Sequence, residues 1–230
     1  FLDGVIEKNE KLHIVLVNAA KVVKARKNPD LANVLQTAQF VGADGVPIVW
    51  ASKMLNDPLP GRINGTDLMD RLIERSAEKG HRIFFLGAKQ EVIETAVRDL
   101  KVKYPSLQIA GYRNGYFDSE ETERFVVDEI NASNANILLV GMSTPMKEFW
   151  VRKYHNDLKV NVIHGVGGSF DILGGITKRA PVWMQKTGLE WFYRLCQEPR
   201  RMWKRYLVTN SLFVALLCKE CFTVHFGKRA

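Results

Sequence analysis

The sequence predicts an α/β protein of Rossmann-like organisation: a mostly parallel sheet with helices on both faces, followed by a basic, aromatic-rich helical appendage. Three observations carry that expectation. Short runs of aliphatic and β-branched residues alternate with helix-length amphipathic segments along the chain, as repeated strand–helix units require. Two of these runs, Ile137 to Val140 and Val160 to Ile163, are apolar on both faces apart from Asn161, which suits strands covered on both faces of a parallel sheet. Glycine-bearing loops follow them, Gly141 to Pro145 and Gly165 to Asp171, and open α/β sheets bind small molecules at the carboxyl ends of their strands.

Taken in order, Leu12 to Val17 is a strand candidate, and Asn18 opens a turn into a helical segment. Asn28, Pro29 and Asp30 break that pattern, and Leu31 to Thr37 reads as a short helix. Phe40 and Val41 make a brief apolar step into Ala43, Asp44 and Gly45. Pro47 suits the first turn of a helix running through Leu55, because its ring fixes φ and it has no amide hydrogen to lose there. This places Asp44 on a loop at the mouth of a helix, where N-capping is the structural alternative to a chemical role. Thr66 is expected to cap a helix striped by Leu68, Leu72 and Ile73 and closed by Gly80. Arg82 to Leu86 is a buried strand; Gly87 and Ala88 then turn into a helix from about Gln90 to Tyr104. A strand, a glycine turn and a helix in succession present backbone amides to phosphate. Gln108 to Gly111 forms another strand, and an Asp118/Ser119 cap starts a helix ending near Ala132. Strands thus begin near Leu12, Arg82, Gln108, Asn136 and Val160.

With 230 residues, 46% of them hydrophobic, the chain can bury a sizeable core. The domain reading is residues 1–189 as the α/β domain and 190–230 as the appendage. Of the net charge of +8, the appendage holds eight cations against three carboxylates. Trp191, Phe192, Trp203 and Tyr206 alternate there with Arg200, Arg201, Lys204 and Arg205. Aromatics beside cations suit a helix lying at the headgroup depth of an anionic membrane, although Trp191 and Phe192 serve equally well to close a core. All three cysteines lie in the same segment, and Cys218, Cys221 and His225 have the spacing of three metal ligands without a fourth nearby. Reduced thiols on a helix are the plainer reading. No uninterrupted apolar run reaches the roughly 18 to 20 residues that cross a bilayer, and the amino terminus lacks the pattern of a secretory signal. The expected location is therefore the cytosol, at the inner face of the membrane.

Several chemistries are disfavoured by what the loops lack. The dinucleotide fingerprint fails because Phe170 stands where its third glycine is required. There is no P-loop, no HExxH, no GxSxG, and no Asp-x-Asp pair to hold a divalent cation against a diphosphate. A diphosphate here would be neutralised by arginine, lysine and helix N-termini.

Motifs spread along almost the whole chain carry a resemblance. They are Asn18; Ala43-Asp44-Gly45; Arg62-x-x-Gly65-Thr66-Asp67-Leu68; Phe85-Leu86-Gly87; Gly115-Tyr116-Phe117; Gly141 to Glu148; Gly165-Val-Gly-Gly168 with Asp171; Arg179-Ala180-Pro181; and Gly188-Leu-Glu-Trp191. In these the chain resembles the WecG/TagA/CpsF family of bacterial glycosyltransferases. The resemblance implies transfer of a hexose, such as N-acetylmannosamine, its uronic acid or a glucose-type sugar, from a UDP-sugar to a polyprenyl-diphosphate-linked saccharide. It further implies inversion, no metal or other cofactor, and a basic tail that brings the enzyme to the membrane. By the same resemblance Asp44 is the general base and Arg62 stabilises the departing diphosphate. Asn18, Gly87, Ala88, Tyr116, Lys147, Glu148, Gly167, Gly168 and Asp171 contact substrate, and Arg200, Arg201, Lys204 and Arg205 serve the membrane or the diphosphate. A homo-oligomer is compatible with it, and nucleic acid is not an expected partner.

Two positions depart from the family pattern. Many members carry a threonine two residues before the equivalent of Asn18, and Leu16 stands here. Lys147 takes the place of a glutamine before Glu148, so a cation able to pair with a phosphate or a carboxylated sugar replaces a neutral amide. The alternative reading is a homologue that kept the fold as a nucleotide-binding or membrane-scaffold protein and lost turnover through these changes.

Overall fold

The structure, a computed structural model, describes residues 1–226, without the side chains of Lys186, Arg201, Arg205 and Phe226. The roles expected of Arg201 and Arg205 therefore fall outside the described residues. In chain order the elements are α1 (Leu2–Glu7), β1 (Leu12–Val17), α2 (Ala19–Lys27), α3 (Pro29–Thr37), β2 (Phe40–Ala43) and α4 (Val46–Met54). There follow α5 (Gly65–Lys79), β3 (Arg82–Gly87), α6 (Gln90–Lys103), β4 (Gln108–Arg113), α7 (Glu120–Ala132) and β5 (Ile137–Gly141). The chain continues through α8 (Met146–Tyr154), β6 (Val162–Gly165), α9 (Ser169–Leu173), α10 (Val182–Lys186), α11 (Glu190–Gln197) and α12 (Pro199–Phe226).

The strands form one six-stranded parallel sheet in the order β2-β1-β6-β5-β3-β4. The α/β class is as expected, and the sheet is parallel throughout rather than mostly so. The brief apolar step at Phe40 is a sixth strand, β2, at one edge of the sheet. Its four residues are too short and too glycine-rich to read as a strand from sequence. The last strand begins at Val162 instead of Val160, and β4 runs on through Arg113.

By internal contacts the chain divides into two compact units. One comprises Phe1–Val15, Val34–Val41 and Gly65–Lys178, and the other Leu16–Asn33, Gly42–Asn64 and the chain from Arg179 onward.

The first unit is built around the buried strands β3 and β5. Their register runs Ile83 with Ile137 through to Gly87 with Gly141. Side chains alternate across a strand, so Phe84 and Leu86 pack with Val126, Ile130, Trp150 and Tyr154 of α7 and α8, whereas Phe85 meets Phe170 of α9, ring centroids 5.8 Å apart. Helices thus cover both faces here. The short α1 has only Leu2, Val5 and Ile6 at helical spacing, too little to mark a helix beside Gly4. It is tied to α5 by Asp3, which accepts from Arg75 Nε at 3.1 Å and lies 3.0 Å from His81 Nε2. Hydrogen bonds from Arg75 and then His81 hold the Asp3 carboxyl well below the usual carboxylate range.

In the second unit α12 packs on α2. Phe213 is buried with Ala19, Val23 and Ala51, and Leu212, Leu216 and Leu217 lie around them. Other large side chains of α12 remain exposed, including Trp203, Leu207, Val214 and Phe222. Met202–His225 is long and apolar enough to cross a bilayer, with a mean hydropathy of 1.5 and almost none of it buried. No single uninterrupted run shows this, because Thr209 to Ser211 and the pair Lys219 and Glu220 divide it.

Candidate active site

In the second unit, Asp44 follows the last residue of β2. Its amide donates to the carbonyl of Val17 at 2.8 Å, which fixes the loop against the end of β1. The N-cap of α4 is Gly45, at φ +103, with no side-chain cap, so Asp44 does not cap the helix it precedes. Its carboxylate instead accepts from Asn18 Nδ2 at 3.4 Å. Asn18 caps α2, its Oδ1 accepting from the Lys21 amide at 3.0 Å. With the oxygen occupied by that cap, only the amide nitrogen is left to face Asp44.

Arg62 is brought beside this loop by the backbone. Ile63 donates its amide to the carbonyl of Ala43 at 2.8 Å, so the residues next to Asp44 and Arg62 are hydrogen-bonded to one another. The Arg62 guanidinium meets Glu190 at 3.0 Å and the carbonyl of Gln185 at 3.3 Å. Asn64 donates to the same Glu190 oxygen at 2.8 Å. Gly188, at φ +77, turns the chain into α11 so closely against Val46 that a Cβ would lie 2.8 Å from its methyl. The loops carrying Asp44, Arg62 and Glu190 thus converge. Lys21, not singled out in the sequence, is buried and donates from Nζ to the carbonyl of Leu16 at 2.7 Å. The Leu16 side chain lies in the core, so the hydroxyl common in the family has no counterpart here.

In the first unit the strand ends make a cradle. Gly87, at φ +141, approaches Gly141 until a Cβ would overlap its backbone, and only glycine allows both that dihedral and that approach. Ala88 sits at φ +58, a left-handed conformation that costs a non-glycine residue roughly 1 kcal/mol or more. Its amide donates to Gly141 at 3.2 Å and its carbonyl accepts from Gly115 at 3.3 Å. The structure therefore brings Gly87 and Ala88 together with the loops after β4 and β5. Tyr116 stands on the β4 loop, 67% exposed, its amide held by Asn114 Oδ1 at 3.1 Å. After β6, Gly167 at φ +56 and Gly168 lead into α9, whose first turn carries the half-buried Asp171.

Lys147 and Glu148 form a buried ion pair at 3.0 Å, and Lys147 also donates to Thr144 Oγ1 at 2.7 Å. Glu148 accepts from Thr144 at 3.2 Å and is 2% exposed. The Lys147 stem lies against Gly165, where a Cβ would come within 2.8 Å of it. A glycine at the end of β6 is thus the steric complement of this lysine. Thr66 is not a cap but lies inside α5, its hydroxyl 3.0 Å from that of Ser169 in α9. That pairing had no signal in sequence.

In the tail, Arg200 and Lys204 are exposed, as are Trp191 and Phe192. The two aromatics therefore face solvent instead of closing a core, although Trp191 meets the edge of Tyr206 at 5.9 Å. His225 Nδ1 lies 2.9 Å from the carbonyl of Cys221, and among the described residues no three metal-ligating side chains gather.

Glycine-lined strand ends of a parallel sheet in the first unit, and a loop carboxylate with an arginine loop beside it in the second, are features with which α/β proteins bind small polar ligands. Comparison with known proteins narrows this. The model of the WecG/TagA/CpsF glycosyl transferase family matches residues 1–226. The chain is 36% identical over 215 residues to an N-acetylglucosaminyldiphosphoundecaprenol N-acetyl-beta-D-mannosaminyltransferase of Bacillus spizizenii, covering 94% of this chain and 82% of that protein. It is 36% identical to the Bacillus subtilis enzyme of the same name over 90% of this chain and 79% of the relative. The Staphylococcus aureus (strain MW2) enzyme of that name is 34% identical over 86% and 76%. The chain belongs to the WecG/TagA/CpsF family of glycosyltransferases.

Proposed function

We propose that the protein is an inverting, metal-independent hexosyltransferase that moves an N-acetylmannosamine-type sugar from a UDP-sugar to N-acetylglucosaminyl-diphosphoundecaprenol. Such a step serves cell-surface polysaccharide synthesis at the inner face of the membrane. The acceptor class rests on the activity for which relatives sharing about a third of their residues with it are named. The observation that supports the mechanism is Asp44, which is not the N-cap of α4 and is held by Asn18 next to the Arg62 loop.

In this reading Asp44 takes the proton of the acceptor hydroxyl as its oxygen attacks the anomeric carbon. The new glycosidic bond forms as the bond to the diphosphate breaks, and a single displacement inverts the centre. Charge builds on the departing UDP, where a fixed cation acts most strongly on the transition state; Arg62 supplies it. Metal independence is expected because the sequence has no Asp-x-Asp pair to hold a divalent cation against a diphosphate. Gly87, Ala88, Gly167 and Gly168 bring backbone close to the nucleotide, with Tyr116 and Asp171 at its rim. Lys147 and Glu148 set the floor of the donor pocket as a neutral pair. Residues 190–230 act as the membrane-associating appendage: Arg200 and Lys204 meet anionic headgroups, and the exposed apolar side chains of α12 enter the interface.

The test is a screen of UDP-sugars with a polyprenyl-diphosphate-GlcNAc acceptor, reading UDP release with and without EDTA. Release from UDP-N-acetylmannosamine that requires the acceptor and survives EDTA supports the assignment. UDP binding without turnover on any donor would favour the inactive homologue.

A further inference from the structure

We propose that Glu190 is a positioning residue for Arg62, holding the guanidinium so that its remaining donors face the departing diphosphate. This rests on the reading of Arg62 given above. An arginine carries five N–H donors in a rigid fork. The Glu190 carboxylate lies 3.0 Å from Nη1 as an ion pair, and the Gln185 carbonyl accepts from Nη2 at 3.3 Å. Among the described residues neither contact takes up the Nε donor, so the fork keeps donors for an anion. Both contacts lie on one end of the fork, so the side chain is fixed without being saturated. A carboxylate acting as a plug would grip the fork with both oxygens. Here one oxygen, Oε2, is shared between Arg62 and Asn64, which donates at 2.8 Å.

The support behind Glu190 is itself fixed. It is the first residue of α11, where a carboxylate is favoured by the helix dipole. The preceding turn at Gly188 rests on Val46, two residues after Asp44. Arg62 and Glu190 are each only about a quarter exposed, at 22% and 24% of their side chains, so solvent does not freely replace the contact. An arginine left to sample its rotamers would reach the diphosphate only part of the time, and the cost would appear in turnover. The first residue of the basic segment therefore belongs to the catalytic arrangement, whatever the rest of that segment does at a membrane.

The experiment is a double-mutant cycle of Glu190→Ala and Arg62→Ala in the full chain, with Glu190→Gln as the conservative variant. Rates of UDP release and UDP affinity by calorimetry are the readouts. Glu190→Ala is expected to lower kcat about tenfold with UDP affinity little changed, an interaction realised chiefly in the transition state. Glu190→Gln, which keeps an acceptor oxygen of the same reach, is expected to recover most of that rate. On the Arg62→Ala background, Glu190→Ala should cost nothing further, because the two act as one unit. A full tenfold loss on that background would show a merely structural effect and overturn the proposal. So would a Glu190→Ala variant as fast as the parent or faster. If Arg62→Ala itself left kcat intact, the reading of Arg62 would fail, which is a separate outcome.

Discussion

The side-chain amide of Asn18 reaches the carboxylate of Asp44 at 3.4 Å while its oxygen caps α2. One residue thus links the start of the first crossover helix to the loop after β2. Asn18→Ala removes both contacts. The lost cap costs about 1 kcal/mol of stability, and loss of the amide donor that orients Asp44 lowers kcat by about an order of magnitude. Asn18→Ser separates the two effects: its hydroxyl keeps the cap but removes the amide donor to Asp44, so urea denaturation should show parent-like stability while turnover stays low.

The sequence made most of this fold legible because three of its strands are apolar runs that suit the inside of a parallel sheet. Leu12 to Val17, Arg82 to Leu86 and Ile137 to Val140 needed no tertiary information. β2 did, because a four-residue edge strand ending in Gly42 and Ala43 is held by its neighbour and not by its own pattern. The site was legible as a set of residue types in loops, with the family resemblance assigning their roles. Its wiring was not. Nothing near Arg62 announces Glu190, which lies far along the chain and counted there only as one carboxylate against a basic segment. Thr66 has the chemistry of a cap, and only the packing of α5 on α9 turns its hydroxyl to Ser169. Lys147 read as a cation for a phosphate or a carboxylated sugar, whereas burial has given it Glu148 and Thr144 as partners.

That pair yields a stability prediction. Lys147→Met leaves a carboxylate, buried to 2% exposure, without its cation. Removing one partner of a buried pair costs about 3 kcal/mol or more. Replacing both, as in Lys147→Met with Glu148→Leu, is expected to recover much of the loss. Urea midpoints at constant m-value measure both variants.

The anchor of α1 gives the pH dependence. Asp3 is held ionised by Arg75 and His81, its folded pKa lying below the unfolded value of about 3.9. Its contribution is therefore present above that value and lost as pH falls through the folded pKa. Asp3→Asn should melt below the parent at pH 7, and the gap should close progressively below about pH 4. Thermal unfolding followed across that range checks the sign.

Arg200 and Lys204 test the membrane reading. Each cation near an anionic surface contributes about 1 kcal/mol, so changing both to glutamine should weaken binding to phosphatidylglycerol-containing vesicles about 30-fold at low salt. The difference should shrink as salt rises, and neutral vesicles should not distinguish the variant from the parent.

The most direct measurement is the turnover of Asp44→Asn with a UDP-sugar donor and a polyprenyl-diphosphate-GlcNAc acceptor, alongside its affinity for UDP. Loss of a general base is expected to lower kcat by about 10²- to 10⁴-fold, with UDP affinity and thermal stability close to the parent's. A variant that turned over within about threefold of the parent would contradict Asp44 as the group that takes the acceptor's proton.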